Sequence, residues 1–166
     1  MTHTFRPTPD LSRDLRSAFG RFATGVTVVT TRTAEGPVGM TANSFSSVSL
    51  DPAMALWAIA RSSDRFAIFA AAERYAIHIL AEDQSAVSTG FARGPDFFAS
   101  TPWRDGTDGI PVLDGVLARF DCRLSAVHDG GDHVILVGEI LEVSHREGAP
   151  LLFAGGRYAR LGPAPD

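Results

Sequence analysis

The chain has 166 residues, 45% of them hydrophobic, which is enough for one domain with a sizeable core and too short for two ordinary ones. Its formal net charge is −4, all of its basic side chains are arginine, and these are scattered from Arg6 to Arg160; such a balance argues against a nucleic-acid partner, which asks for clustered positive charge. A lone cysteine, Cys122, excludes an intrachain disulfide framework and suits a reducing compartment, and no apolar run approaches the length of a signal peptide or a membrane span, so a soluble, cytoplasmic protein with no membrane partner is expected.

In chain order, the Pro-rich ends, Pro7 to Pro9 and Gly162 to Asp166, read as tails or packing arms around an ordered core of about residues 11–161. Asp10 or Ser12 can cap a helix running to about Phe22, with Leu11, Leu15, Phe19 and Phe22 on one core-facing stripe. The β-branched run Val26 to Thr31 and the segment Val38 to Phe45 form a hairpin about Ala34-Glu35-Gly36-Pro37. Asp51-Pro52 introduces a third strand, Ala53 to Ala60, whose unbroken apolar character predicts burial on both faces. Ser62 or Ser63 is a natural N-cap for a short helix from Asp64 to Ala72. A strand from Tyr75 to Leu80 then precedes an amphipathic helix carrying Val87 and Phe91.

After a loop rich in Gly and Asp, alternation becomes strict: Val116, Ala118, Phe120, Cys122, Leu124 and Ala126 share one face, and Arg119, Asp121, Arg123 and Ser125 the other. Asp129-Gly130-Gly131-Asp132 turns this strand into a partner from His133 to Val143, and short strands from Leu151 to Ala154 and Arg157 to Leu161 close the chain. The fold class is therefore mainly β, an antiparallel barrel with a few short helices, in a single domain over 1–166.

The densest set of polar groups lies in Gly39-Met40-Thr41-Ala42-Asn43-Ser44-Phe45-Ser46-Ser47-Val48-Ser49-Leu50. Several neutral donors of this kind can hold a phosphate without a lysine, although Ser and Thr also favour turns on their own account. No glycine-rich nucleotide loop, nucleophile elbow or metal-spaced His/Cys cluster is present, and the five histidines are dispersed, so no metal site is expected. Chemistry carried by an organic cofactor is the better class, because the protein then needs only to bind, orient and exclude water. Cys122, Trp57 and Trp103 read as packing residues.

The segments Gly25 to Thr31, Gly39 to Phe45 and Ser47 to Pro52 resemble the short-chain flavin reductases, reductase partners of two-component flavin-dependent monooxygenases built on the FMN-binding, Greek-key split barrel. The resemblance continues through Ser62-Ser63, Ala81 to Gln84, Phe91-Ala92, Asp121-Cys122, Gly131 to Ile135 and Gly156 to Tyr158. It implies NAD(P)H-dependent reduction of FMN or FAD, with NADH or NADPH as hydride donor, by a homodimer that hands reduced flavin to a partner monooxygenase. A split-barrel flavoprotein that keeps its flavin, or a non-enzymatic flavin carrier, are the alternatives. The resemblance assigns flavin contacts to Thr41, Ala42, Asn43, Ser44, Ser47, Val48, Ala58, Ile59, Ala60, Ser62, Ser63, Ala81, Gln84 and Phe91. It assigns the nicotinamide substrate to Gly131, Asp132 and His133, with His133 orienting the carboxamide and Tyr158 helping to close that pocket. A 2′-phosphate would want an arginine, with Arg61, Arg93, Arg157 and Arg160 as candidates. Many relatives have asparagine where His78 stands, so that side chain receives no role.

Overall fold

β-Branched and aliphatic residues at alternating positions make strands the dominant element, 47% of residues against 20% helix, so the sheet sets the frame on which everything else hangs. The computed structural model describes residues 2–162; of the carboxy-terminal tail expected from Gly162 to Asp166, all beyond Gly162 lies outside the described residues. A 3₁₀ turn at Pro9–Leu11 leads into α1 (Ser12–Phe19), followed by β1 (Thr24–Gly25), β2 (Thr27–Thr33), β3 (Gly36–Ala42), β4 (Ser46–Leu50) and β5 (Ala53–Ala60). Next come α2 (Phe66–Ala71), β6 (Arg74–Ile79), α3 (Ser85–Arg93), β7 (Trp103–Asp105) and β8 (Pro111–Leu113). The long β9 (Ala118–Gly130) and β10 (His133–His145) precede the hairpin of β11 (Leu152–Ala154) and β12 (Arg157–Ala159).

Seven strands pair in the spatial order β3-β2-β6-β9-β10-β5-β4, antiparallel throughout. The two edge strands, β3 and β4, are consecutive in the chain and separated only by Asn43-Ser44-Phe45. Such a connection spans at most roughly 14 Å between the flanking Cα atoms, so the edges must come together and the sheet rolls into the expected barrel. A separate sheet, β1-β11-β12, and the pair β7-β8 complete the strands.

One core fills the barrel. Trp57, Phe69, Tyr75, Ile77 and Leu136 are at most 1% exposed there, and Trp57 meets Phe69 edge-on with ring centroids 5.1 Å apart. A second core lies outside it, where Val26, Val28, Leu80, Phe91, Phe98 and Leu151 pack beneath α3. β2 separates the two, contributing Val29 inward and Val28 outward, which is why it is buried along most of its length. Cys122 lies in the inner core as expected; burial first, and the charge of Asp121 second, push its thiol up to about 12. Trp103 is half-buried against Phe98, also as a packing residue.

Several expectations are corrected. The Leu11–Phe22 stripe is not core: α1 contains no buried residue, Leu11 and Leu15 are only half-buried, Phe19 and Phe22 are exposed, and the helix stops at Phe19. β5 is buried on one face only; Ala55, Trp57 and Ile59 point into the core while Leu56, Ala58 and Ala60 are half-buried. α2 begins at Phe66, and Ser63 forms a local turn instead of the cap, its Oγ accepting the Arg65 N–H at 3.2 Å. The Ser-rich segment after β3, to which no strand was assigned, is the edge strand β4, and the Gly/Asp-rich loop contains β7 and β8. On β9 the polar face is not uniformly solvated: Arg119 is buried and bridges Asp121 (2.9 Å) and Glu142 (2.7 Å). The long ribbon runs on to His145, and the last strand ends at Ala159.

His78 is a satisfied core histidine. Its Nδ1–H donates to the Val28 carbonyl (3.0 Å), its Nε2 accepts the Leu113 N–H (3.3 Å), and burial pushes its pKa down to about 4. The unfolded chain binds this proton near pH 6.5 and the folded chain does not, so stability is fully present above about pH 6.5 and falls as pH drops towards 4. Urea unfolding between pH 7 and pH 4 is expected to show this loss, and the variant His78→Asn, which keeps one donor and one acceptor, is expected to flatten it.

Candidate functional site

The site is built where three separated pieces of chain meet: the end of β3, the buried face of α3, and β12. On α3, Gln84, Ser88 and Phe91 recur at helical spacing and so share a face. Gln84 fixes the start of the helix, its Oε1 accepting the Ala81 N–H and its Nε2 donating to the Asp114 carbonyl, both at 3.0 Å. Phe91 is fully buried under β3; a Cβ at Gly39 would lie 2.5 Å from its ring, so only glycine lets the strand come this close. Arg65, itself buried, donates to the Phe91 carbonyl (2.6 Å) and ties the turn after β5 to α3.

Ser88 joins the three pieces. Its carbonyl accepts the Thr41 hydroxyl at 2.6 Å, and its own hydroxyl, fully buried, accepts from Tyr158 Oη at 2.8 Å. Between these contacts opens a cleft of about 200 Å³. Val26, Ala42, Ala92 and Phe153 supply its apolar surface; Thr41, Asn43, Ser88 and Tyr158 supply a polar rim. It adjoins a wider groove of about 720 Å³ along α3, which shares Tyr158 and includes Ser85, Thr89, Arg93 and Phe97. Asn43 is exposed, with its Nδ2 on Thr24 Oγ1 at 3.2 Å.

Ser44 does a different job from its neighbours. Its Oγ accepts the Ala58 N–H (2.9 Å) and donates to the Ala58 carbonyl (3.0 Å), standing in for a backbone partner where the edges of the sheet meet. Two residues further along β5, Ala60 pairs with His133, so this strand links the β3–β4 connection to the turn at Gly131-Asp132-His133. Arg61 fastens that turn: its backbone N–H donates to the Asp132 carbonyl (2.9 Å), its Nε to the Gly131 carbonyl (3.2 Å) and its Nη2 to Asp129 (2.6 Å). His133 Nδ1 meets the Asp132 carboxylate at 2.7 Å, which holds Asp132 below the usual carboxylate range and leaves Nε2 for a ligand.

The structure therefore gathers Thr41, Ala42, Asn43 and Tyr158 in one cleft, with Phe91 as its buried support and Ala81 and Gln84 at the head of α3. Ile59 is core, while Ser47 and Val48 stand exposed on β4, and Ser62 and Ser63 occupy the turn after β5. Tyr158 lies on the α3 side, hydrogen-bonded to Ser88 and 3.2 Å from Thr89 Oγ1, rather than against the 131–133 turn. Among the arginines considered for a 2′-phosphate, Arg61 is committed to Asp129 and Arg160 pairs with Glu82 at 3.7 Å; Arg93 and Arg157 make no ion pair among the described residues. Sequence reasoning missed Ser88, Thr24, Phe153 and Arg65. Only Ser88 left a signal, its spacing from Gln84 and Phe91.

The cleft has an apolar floor and a rim of hydroxyls and one carboxamide, the make-up of a small-molecule site. Membership is settled by comparison: the chain belongs to the flavin reductase like domain family, whose pattern matches residues 19–162. It is 51% identical over 159 residues to the FMN reductase (NADH) SmoA of Agrobacterium fabrum, covering 96% of this chain and 91% of that one. It is 39% identical over 153 residues to HsaB of Rhodococcus jostii, the reductase subunit of a flavin-dependent monooxygenase, covering 91% and 78%. Among solved structures it is similar to the Streptomyces globisporus NADH:FAD oxidoreductase SgcE6 in complex with NAD and FAD fragments, with a TM-score of 0.89, 35% identity, and 98% and 100% of the two chains covered.

Two substitutions separate support from contact. Ser44→Ala leaves both polar groups of Ala58 without this partner and is expected to lower stability by about 1–3 kcal/mol in urea unfolding. Tyr158→Phe keeps the ring but leaves the buried Ser88 hydroxyl without its donor; it is expected to weaken flavin binding about 3- to 10-fold by fluorescence titration and to lower stability by about 1 kcal/mol.

Proposed function

We propose that this chain is a flavin reductase that takes a hydride from NADH or NADPH, passes it to FMN or FAD, and releases the reduced flavin to a separate flavin-dependent monooxygenase. The observation that carries the reading is the cleft closed by the Thr41–Ser88–Tyr158 contacts, whose lining residues include no His, Cys, Asp or Glu to run acid–base or thiol chemistry. What the flavin supplies when bound is an electron sink at N5 for the hydride from nicotinamide C4. Orientation, desolvation and anchoring are left to the protein.

Each of those tasks falls to named groups. Val26, Ala42 and Phe153 exclude water from the slot, and the Tyr158–Ser88 hydrogen bond fixes the ring that walls it. Asn43, exposed at the rim, offers its amide to the ring edge, and Ser47 and Ser62, whose side chains are exposed, supply hydroxyls to the ribityl-phosphate arm. His133, braced through Nδ1 by Asp132, presents Nε2 to the nicotinamide carboxamide. The chain acts as one flavin reductase unit paired with a second copy. Support for the pairing comes from Phe19, Phe22 and Leu50, which are 68%, 78% and 96% exposed, and from the half-buried outer face of β5. Its single thiol, free and buried, agrees with a cytoplasmic setting.

The test is anaerobic absorbance at the oxidised-flavin band, with flavin in large molar excess over protein and each combination of NADH, NADPH, FMN and FAD. Bleaching of the whole flavin pool is expected. Bleaching limited to a stoichiometric fraction would instead mark a protein that keeps its flavin, and no bleaching would mark a carrier.

A further inference from the structure

Eight of the fifteen arginines sit in ion pairs, at positions 32, 61, 65, 74, 104, 119, 123 and 160. Four of the others do something different. Arg13, Arg16 and Arg21, from α1 and the turn that ends it, and Arg157, from β12, converge on a cleft of about 350 Å³. None of the four makes a side-chain hydrogen bond or ion pair among the described residues, and Asp14 on the same helix comes within ion-pair distance of none of them. In a chain of net charge −4, this is a concentration of uncompensated positive charge. Basic groups near a helix C-terminus are favoured by its dipole, which could account for Arg16 and Arg21, but that does not bring Arg157 to the same place from 130 or more residues away.

The cleft is also built, not merely a stretch of surface. The tip of the β11–β12 hairpin, Gly155-Gly156, docks on the end of α1 through the Gly155 N–H to the Gly20 carbonyl at 2.8 Å. Both glycines have positive φ, 57° and 80°, as a tight two-residue turn requires, and nothing lies within 4 Å of a Cβ added to either. The tip is thus fixed in position and open on the side facing outward. The cleft has a defined relation to the rest of the site as well. Successive residues of a strand point to opposite faces, so Arg157 turns towards α1 while Tyr158 turns towards α3 and the flavin slot.

We infer that this four-arginine cleft, set across β12 from the slot that Tyr158 lines, holds the phosphates of the nicotinamide dinucleotide. The inference rests on the proposed reductase activity and adds the residues that select the hydride donor. Guanidinium groups recognise phosphate oxygens through paired N–H donors, and four of them exceed the two charges of a pyrophosphate, leaving capacity for a 2′-phosphate. The Arg93 groove lies on the other face of the hairpin and is left to the flavin.

Arg16→Gln and Arg157→Gln, singly and together, test this in steady-state turnover with FMN and NADH, alongside competitive inhibition by ADP-ribose, which keeps the pyrophosphate and lacks the nicotinamide. Both side chains are exposed, so thermal unfolding is expected to match the wild type. The double variant is expected to raise KM for NADH and Ki for ADP-ribose by about tenfold or more, with kcat and KM for FMN within about twofold of the wild type. Raising salt is expected to increase the wild-type KM for NADH and to affect the double variant less. Unchanged NADH and ADP-ribose constants in an active double variant would overturn the inference, as would a rise confined to KM for FMN, which would assign the cleft to the flavin phosphate. A wild-type protein that oxidises no NADH with any flavin would overturn the reductase reading itself; ADP-ribose binding by calorimetry would then still decide whether the cleft takes a pyrophosphate.

Discussion

The barrel depends on one hydroxyl group at its seam. Strands β3 and β4 are neighbours in sequence and opposite edges in space, and the three residues between them force the sheet to close. Ala58 pairs with Ile135 of β10 on one side, but on the other the β4 ladder stops at Leu56, and there Ser44 Oγ takes both the Ala58 N–H and its carbonyl. The polar richness of the segment thus has two origins. Ser44 and Thr41 spend their hydroxyls on backbone, fixing where the chain crosses, and Asn43 and Ser47 are left facing outward. A segment that read as a ligand loop is first a structural joint, and the joint is what sets Ala42 and Asn43 at the mouth of the slot.

Much of the frame was legible because its cause is local. The alternation from Val116 onwards, the Gly130-Gly131 turn and the β-branched run after Gly25 each specify a strand without help from distant residues, and the ribbon of β9 and β10 follows. The features that could not be read have causes elsewhere in the chain. β4 carries serines and an exposed Leu50, a poor strand by composition, and exists because β5 offers it a ladder. The stripe on α1 has the right spacing for a core helix, yet among the described residues it is only half-buried at Leu11 and Leu15 and exposed at Phe19 and Phe22. Burial of Arg119 on a nominally polar face depends on Glu142, which arrives from the partner strand across a register shift.

The site shows the same division. Thr41, Ala42 and Asn43 were found because they are contiguous and chemically dense. Ser88 was missed because a single serine in an amphipathic helix carries no chemistry until a phenol from β12 reaches it. The contacts at Ser88 close loops of 47 and 70 residues, so the slot forms only when three remote segments are already in place. The β11–β12 hairpin that supplies Tyr158 is held by three-residue strands outside the main sheet, and its attachment is therefore weaker than that of the barrel wall it completes.

That dependence on Ser88 also limits how the gene can change in length. Gln84 anchors the head of α3 to Ala81 and Asp114, and Ser88 follows one turn later. One residue inserted between them would rotate Ser88 by about 100° and carry its hydroxyl away from Tyr158. The exposed tip at Ala34-Glu35 carries no such constraint, because lengthening it leaves the ladder between β2 and β3 in register. Insertions and deletions in this lineage are therefore expected to collect at hairpin tips, with the short interval from Ala81 to Phe91 constant in length even where its residues vary.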